Sequence, residues 1–223
     1  MQIEEGAARK SRQHTQYKLA DGTLIPGVTT PLGVLAKPAL IPWANALGLQ
    51  GIKVREYVDQ LAEIGTLAHA MVQAHLQGVK PDVQDYTSSQ VSRAENSLLS
   101  FFEWEKSHRL KPLLLEKPLI SEKYRFGGTV DCYGYLDGVA TLIDFKTSKA
   151  IYDEHFYQVS AYWKLLEEAG FLVERAMILQ IGREETEGFS VKVVGALSRE
   201  WEIFLHALAI YELKKNGKRK SDK

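Results

Sequence analysis

Three residues in the middle of the chain combine two carboxylates and an ammonium group at a spacing that suits catalysis. Asp144 and Lys146 end the strand-like run VATLIDFK, and Asp131 precedes them in GGTVD. Residues two apart in a strand share a face, so Asp144 and Lys146 project together while Phe145 points into the opposite layer. Two ionised acids in a partly buried place are costly to desolvate, so they require a cation.

A hard divalent ion with oxygen ligands, such as Mg²⁺, would be that cation. A lysine beside it adds a donor and a positive charge that can hold an attacking water or offset charge on a phosphoryl oxygen. A simpler interpretation is an exposed ion pair between Asp144 and Lys146, with Asp131 as a turn acid. However, Asp144 follows the apolar run 140–143, and Asp131 follows two glycines. These are poor places for surface charges, so the group favours phosphodiester hydrolysis.

The segments around these acids have the composition of strands. The runs KPLLLEKPLISEKYRF, GGTVDCYGYLDG and VATLIDFKTS are separated by turn signals. Asp137-Gly138 is a typical hairpin turn, so the second and third runs should pair antiparallel and bring Asp131 close to Asp144. Two further runs, ERAMILQIGR and FSVKVVGAL, predict two more strands of the same sheet.

Helical patterns surround this sheet. Residues 52–76 have helical periodicity, with a break expected at Gly65 and a stop at Gly78. Further amphipathic runs are SSQVSRAENSLLSFFEWEKSH, IYDEHFYQVSAYWKLLEEAG and SREWEIFLHALAIYELKKNG. The order of elements predicts an α/β fold, with a central mixed sheet flanked by helices and an N-terminal helical region.

Length and composition limit the classes of protein to which this chain could belong. At 223 residues a single domain is expected. The chain has 28 basic and 28 acidic residues, so it has no net charge that would indicate a polyanionic partner. Neutrality does not exclude a local basic groove. The single cysteine, Cys132, excludes an internal disulfide framework. No run approaches the roughly 20 apolar residues that span a bilayer, so a cytoplasmic protein without a membrane partner is expected.

The ordered motifs resemble those of the PD-(D/E)xK nuclease superfamily. G-x-x-D followed by D-x-K is the superfamily pattern, here ending at Asp131 and Lys146. The run GTLAH, ending at His69, is similar to the G-T-x-x-H motif of the RecB-like branch, and YQVSAY matches its Q-x-x-x-Y motif through Gln158 and Tyr162. That branch includes phage exonucleases, the mitochondrial genome maintenance exonuclease and CRISPR adaptation nucleases. The resemblance covers Tyr17 to about Gln180.

The resemblance implies a restriction-endonuclease-like core that uses Mg²⁺ or Mn²⁺. It divides the single domain 1–223 into a helical part, a nuclease core and a basic tail, at 1–110, 111–216 and 217–223. It also implies roles for seven residues: metal ligands His69, Asp131, Asp144 and the main-chain carbonyl of Phe145, with Lys146, Asp144, Asp131, Gln158 and Tyr162 in catalysis. Gln158 and Tyr162 would position the substrate phosphate or the lysine.

The implied activity is a metal-dependent exonuclease that hydrolyses DNA from single-stranded or duplex ends. Such an enzyme would serve phage or bacterial recombination or DNA processing, with a recombination protein as a candidate partner. Some members hold an iron-sulfur cluster with four cysteines, which a chain with one cysteine does not have. Two alternatives stay open: a structure-specific endonuclease, and a non-catalytic nucleic-acid-binding module that keeps the fold.

Several other residues have weaker claims to a role. Glu116 is either an acid near the site or an edge charge, and His75 is expected to pack rather than bind metal. Residues 147–149 either donate to phosphates or form a plain loop. Trp43 and Tyr57 could stack with unpaired bases, although burial is the default for an aromatic side chain in an amphipathic helix.

Overall fold

The computed structural model describes residues 15–221. Its helices and strands, in chain order, are β1 (Tyr17–Lys18), β2 (Leu24–Ile25), α1 (Thr29–Leu32), α2 (Leu40–Leu49), α3 (Val54–Gln77), α4 (Ser88–Glu105), β3 (Leu110–Ser121), β4 (Phe126–Leu136), β5 (Val139–Lys146), α5 (Asp153–Glu168), β6 (Arg175–Ile181), β7 (Phe189–Val194) and α6 (Ser198–Ser221).

A five-stranded mixed sheet forms the centre, in the order β3-β4-β5-β6-β7. Neighbouring strands run antiparallel except β5 and β6, which are parallel and are connected by α5. The β4–β5 hairpin turns at Asp137 and Gly138, both with positive φ (53° and 86°), as a tight hairpin requires. The predicted hairpin is confirmed, and so is the α/β class with a mixed sheet, flanking helices and a helical N-terminal region.

Helices cover both faces of the sheet because its strands are apolar on both sides. On one face, α3 and α4 contribute Val72, Phe101 and Trp104 to a buried cluster with sheet residues that include Ile143 and Phe145. On the other face, side chains of α1, α5 and α6 pack against β4, β5 and β6 in the larger cluster. The sheet is therefore the middle layer of three, and any site on it is bounded by helices.

Helix α3 corrects one prediction. It runs without interruption through Gly65, where a break was expected. A glycine weakens a helix by about 1 kcal/mol relative to alanine but does not end it. A Cβ on Gly65 would lie 2.9 Å from Thr147 Oγ1, so the missing side chain lets α3 approach the exit of β5. Gly78 does end the helix, in the left-handed conformation with φ 69°.

The C-terminal helix extends further than the sequence suggested. α6 continues to Ser221, across most of the range 217–223 that was predicted to be a basic tail. The boundaries drawn at residues 110 and 216 stay predictions. Within residues 15–221, none of the helices has the length and apolar character needed to cross a lipid bilayer.

Candidate active site

The candidate site lies where β4 and β5 separate. The two strands pair only between 132–136 and 139–143, so they part at Asp131 and Asp144. Beyond that point β4 continues beside β3, and β5 continues beside β6. The Phe145 N–H donates to Asp131 Oδ2 at 2.8 Å, so a carboxylate takes the place of a backbone acceptor across the opening. We call this opening between Asp131 on β4 and Asp144 on β5 the fork, and the side chains of both acids lie at it.

A histidine and two acids converge on one side of this fork. His69 Nδ1, from α3, lies 3.6 Å from Asp131 Oδ2 and 3.7 Å from Glu116 Oε1. One ligand atom from each of the three residues lies within 4.8 Å of the others. Imidazole nitrogen and carboxylate oxygen are both ligands for divalent metals. These three residues are therefore the candidate metal-ligating group of the site.

Glu116 reaches this group through an unusual backbone conformation. The pairs Leu115↔Cys132 and Lys117↔Val130 place Glu116 across from Asp131 in the β3–β4 ladder. Its φ is 46°, in the left-handed region that a side-chain-bearing residue rarely adopts inside a strand. Such a conformation costs on the order of 1–3 kcal/mol and is typical of functional sites. The sequence left Glu116 undecided between a site acid and an edge charge, and the structure places it at the site.

Asp144 and Lys146 form a buried pair beside this group. Lys146 Nζ lies 2.6 Å from Asp144 Oδ2, and the side chains are 14% and 0% exposed. The interpretation of this pair as an exposed ion pair is therefore wrong. Within residues 15–221, neither oxygen of Asp144 accepts a hydrogen bond of good geometry, although the ammonium contact is close. Asp144 stands outside the 4.8 Å group of His69, Glu116 and Asp131. It keeps acceptor capacity for another cation.

The cluster has more negative charge than its own cations offset. Burial raises the pKa of Asp144 from 3.8 to about 6, with the charge of Asp131 adding to the rise and Lys146 opposing it. Burial also raises the pKa of Asp131, although His69 and Lys146 pull it down. For His69, burial lowers the pKa, but Asp131 and Glu116 outweigh burial and the net shift is upward. A bound cation would relieve this imbalance.

The raised pKa of Asp144 predicts how stability depends on pH in the metal-free protein. A carboxyl group with a higher pKa in the folded state than in the unfolded state stabilises the fold fully below pH 3.8, and this contribution is lost as pH rises to about 6. Asp144→Asn should remove that component. We expect the free energy of urea unfolding, measured from pH 4 to 8, to fall less steeply for Asp144→Asn than for the parent. Parallel curves would contradict this prediction.

Gln158 and Tyr162 lie together on α5, one turn apart. Gln158 Nε2 donates to the Tyr162 hydroxyl at 2.8 Å. Burial and the charges of Asp131 and Asp144 raise the pKa of Tyr162 well above its ordinary value, so its hydroxyl stays protonated. The tyrosine ring packs on Gly128, where a Cβ would lie 2.5 Å from its Cε1. The structure therefore brings the motif tyrosine close to both acids, while its catalytic role stays a prediction.

Phe145 follows the predicted alternation. Its side chain is buried on the α3–α4 face, with its ring edge-on to those of His69 and Phe101 at centroid distances of 6.1 and 5.7 Å. The proposed role of its carbonyl as a metal ligand stays a prediction. His75 lies apart from the site, with Nε2 2.7 Å from Glu105 Oε2 and its ring against Phe102, as expected for a packing residue.

Two residues near the site were not predicted from the sequence, because neither belongs to a recognisable motif. Gln180 pairs with Lys146 in the β5–β6 ladder, and its Nε2 donates to the carbonyls of Ser148 and Glu187 at 3.0 and 2.9 Å. It therefore ties the loop after Lys146 to the β6–β7 loop. Its only sequence signal is an amide inside the apolar run AMILQI. Tyr17, far away in the sequence, hydrogen-bonds through its hydroxyl to Thr129 Oγ1 at 2.9 Å.

Comparison of the chain with protein-family models and with curated proteins gives no match. Among solved structures it is similar to LHK-Exo, an alkaline exonuclease from Laribacter hongkongensis, in complex with dAMP. The identity is 13%, the TM-score is 0.39, and the match covers 73% of this chain and 91% of that one. It is also similar to a provisionally assigned exonuclease from Eubacterium rectale, at 12% identity and TM-score 0.43, covering 69% and 68% of the two chains.

Proposed function

We propose that this protein is a metal-dependent DNA nuclease that hydrolyses phosphodiester bonds, acting as an exonuclease from DNA ends. The observation that carries the proposal is the convergence of His69, Glu116 and Asp131 beside the buried pair of Asp144 and Lys146. Acids that bind a divalent ion, with a lysine next to them, suit attack of water on phosphorus. The wider proposal is a cytoplasmic role in phage or bacterial DNA recombination or processing, with a recombination protein as partner.

The residues present fit Mg²⁺ or Mn²⁺. The ligand group has one imidazole and two carboxylates within 4.8 Å, and Asp144 has oxygens without a well-directed hydrogen bond from residues 15–221. His69, Glu116, Asp131 and Asp144 would hold the ion, with the Phe145 carbonyl as a further candidate. When bound, a divalent ion supplies Lewis-acid chemistry, lowering the pKa of a bound water and offsetting phosphate charge.

The chain's own residues then have separable tasks. Lys146, almost buried, keeps its ammonium beside Asp144, where it can orient an attacking water or stabilise charge on a phosphoryl oxygen. Asp131 also accepts the Phe145 N–H, so one carboxylate both binds metal and holds the fork. Tyr162, kept protonated, offers a hydroxyl to the substrate phosphate or to the lysine. Gln158 orients that hydroxyl by donating to it.

The test is a time course with end-labelled DNA, as single strands, blunt duplexes and covalently closed circles, with and without Mg²⁺ or Mn²⁺. We expect metal-dependent release of terminal nucleotides from linear DNA and no cleavage of circles. Cleavage of circles would instead favour the structure-specific endonuclease. DNA binding without cleavage under any metal condition would favour the non-catalytic module. The absence of both DNA binding and DNA cleavage would contradict the proposal.

Glu116→Gln tests the ligand that the sequence left undecided. The amide keeps the shape of the side chain and removes its charge, so we expect Mn²⁺ affinity to fall by about 10- to 100-fold, as when groups that support a metal site are removed. Isothermal titration of Mn²⁺ measures this directly. Glu95→Gln, on the exposed face of α4, is the matched control and should bind as the parent does. Unchanged affinity in Glu116→Gln would exclude Glu116 as a ligand.

A further inference from the structure

The ring of Tyr17 is held in a slot formed by two glycines. A Cβ on Gly127 would overlap the ring, and a Cβ on Gly27 would lie 3.0 Å from its Cε2. The slot is itself fixed, because the Val28 N–H donates to the Gly127 carbonyl at 2.8 Å and the Gly127 N–H donates to the Pro26 carbonyl at 2.9 Å. The ring therefore has little freedom to move. Position 127 requires glycine because any side chain there would collide with the Tyr17 ring.

This slot brings the Tyr17 hydroxyl close to the metal-ligating group. The hydroxyl bonds to Thr129 Oγ1, and Thr129 lies two residues before Asp131 on β4. Burial raises the pKa of Tyr17, and the charge of Glu116 adds to the rise. The phenol is thus a protonated, neutral donor beside acids.

The two hydroxyls have one donor to spare. Tyr17 and Thr129 carry one O–H each, and the bond between them uses one of the two. Both residues are partly exposed, and within residues 15–221 no other hydrogen bond takes the second O–H. The spare donor is therefore open to a bound ligand.

We propose that Tyr17 and Thr129 form a binding subsite for a non-scissile phosphate of the DNA strand whose neighbouring phosphate is cleaved at the fork. This rests on the proposed nuclease function. A phosphate that approaches a cluster of acids is repelled unless donors hold it, and hydroxyl side chains commonly donate to DNA phosphates. The pair lies on the β3–β4 side of Asp131, whereas Lys146 is on β5, so the two would hold different phosphates of one strand.

The subsite predicts a loss of substrate binding with little change in chemistry. A hydrogen bond to a charged group contributes enough that Tyr17→Phe, which keeps the ring in its slot, should raise KM for single-stranded DNA by about tenfold. We expect kcat to change much less and Mn²⁺ affinity to match the parent, while stability falls by no more than the contribution of one lost hydrogen bond. Since the two hydroxyls share one spare donor, adding Thr129→Val to Tyr17→Phe should cost less than the product of the single effects.

The experiment is steady-state cleavage of an end-labelled oligonucleotide by the parent, Tyr17→Phe, Thr129→Val and the double variant, with Mn²⁺ titrations and thermal unfolding of each. Tyr135→Phe is the matched control, because Tyr135 is an exposed tyrosine at the hairpin end of the same strand. A KM for Tyr17→Phe equal to that of Tyr135→Phe would overturn the subsite and leave the hydroxyl pair a structural tie. A fall in Mn²⁺ affinity with unchanged KM would do the same. A parent that neither binds nor cleaves DNA would instead overturn the proposed function.

Discussion

Lys146→Met is expected to lower the rate of DNA cleavage by about 100- to 1000-fold, the loss seen when one preorganised donor to a transition state is removed. Methionine keeps the unbranched shape of the side chain and removes its charge and its donors. In the parent, the ammonium lies 2.6 Å from a fully buried carboxylate, so its charge and its donors are held at the site. The rate should be measured in single turnover at saturating Mn²⁺, because metal binding and chemistry are then separated.

Two comparisons sharpen this prediction. Lys111→Met removes the same charge at an exposed position on β3, opposite Tyr135 at the hairpin end of β4, and should cleave as the parent does. Mn²⁺ titration of Lys146→Met should still show binding, because His69, Glu116 and Asp131 are unchanged. If folded, metal-bound Lys146→Met cleaved DNA at the parent rate, the lysine would have no part in the chemistry.

Gly128→Ala is expected to destabilise the protein by about 1–3 kcal/mol, the usual cost of overpacking a core. The added methyl would lie 2.5 Å from Tyr162 Cε1 and 2.9 Å from Val28 Cγ2. Tyr162 and Val28 are buried, at 6% and 2% exposure, so neither can move away without disturbing its neighbours. Displacement of Tyr162 would also disturb its hydrogen bond from Gln158, so cleavage should fall together with stability.

Urea unfolding of Gly128→Ala measures the loss of stability. The matched control is Gly48→Ala in α2, where a Cβ would meet open space. That change should be neutral or stabilise by up to about 1 kcal/mol, because alanine favours the helix. Equal free energies of unfolding for Gly128→Ala and the parent would show that the Tyr162 ring can shift, and that the glycine is not required for packing.

Local rules explain why much of the site could be predicted. The alternation of side chains along a strand places Asp144 with Lys146 and sends Phe145 to the other layer, and this needs only the period of two. The Asp137-Gly138 turn specifies the hairpin, because both residues tolerate positive φ. The chemistry expected of two acids and a lysine follows from their types. These inferences depend on residues close together in the chain.

Other features depend on contacts between distant segments, and local patterns did not predict them. Glu116 becomes a candidate ligand only because the β3–β4 register sets it across from Asp131 and because its backbone adopts φ 46°. Helix α3 continues through Gly65, where a break was expected, and the missing Cβ of this glycine makes room for Thr147, which follows β5. Tyr17 joins the site through Gly127 and Thr129, which lie more than one hundred positions later in the sequence.

The sequence by itself determined which residues could act: an acid and a lysine at strand spacing, a preceding acid on the paired strand, and a histidine, glutamine and tyrosine on helices. The tertiary structure alone decided their surroundings. It buried Asp144 completely and raised its pKa to about 6. It also opened the sheet at Asp131 and added Glu116 and Tyr17 around the fork. The reason is physical: desolvation and convergence of charge depend on how layers pack, and no short stretch of chain encodes that packing.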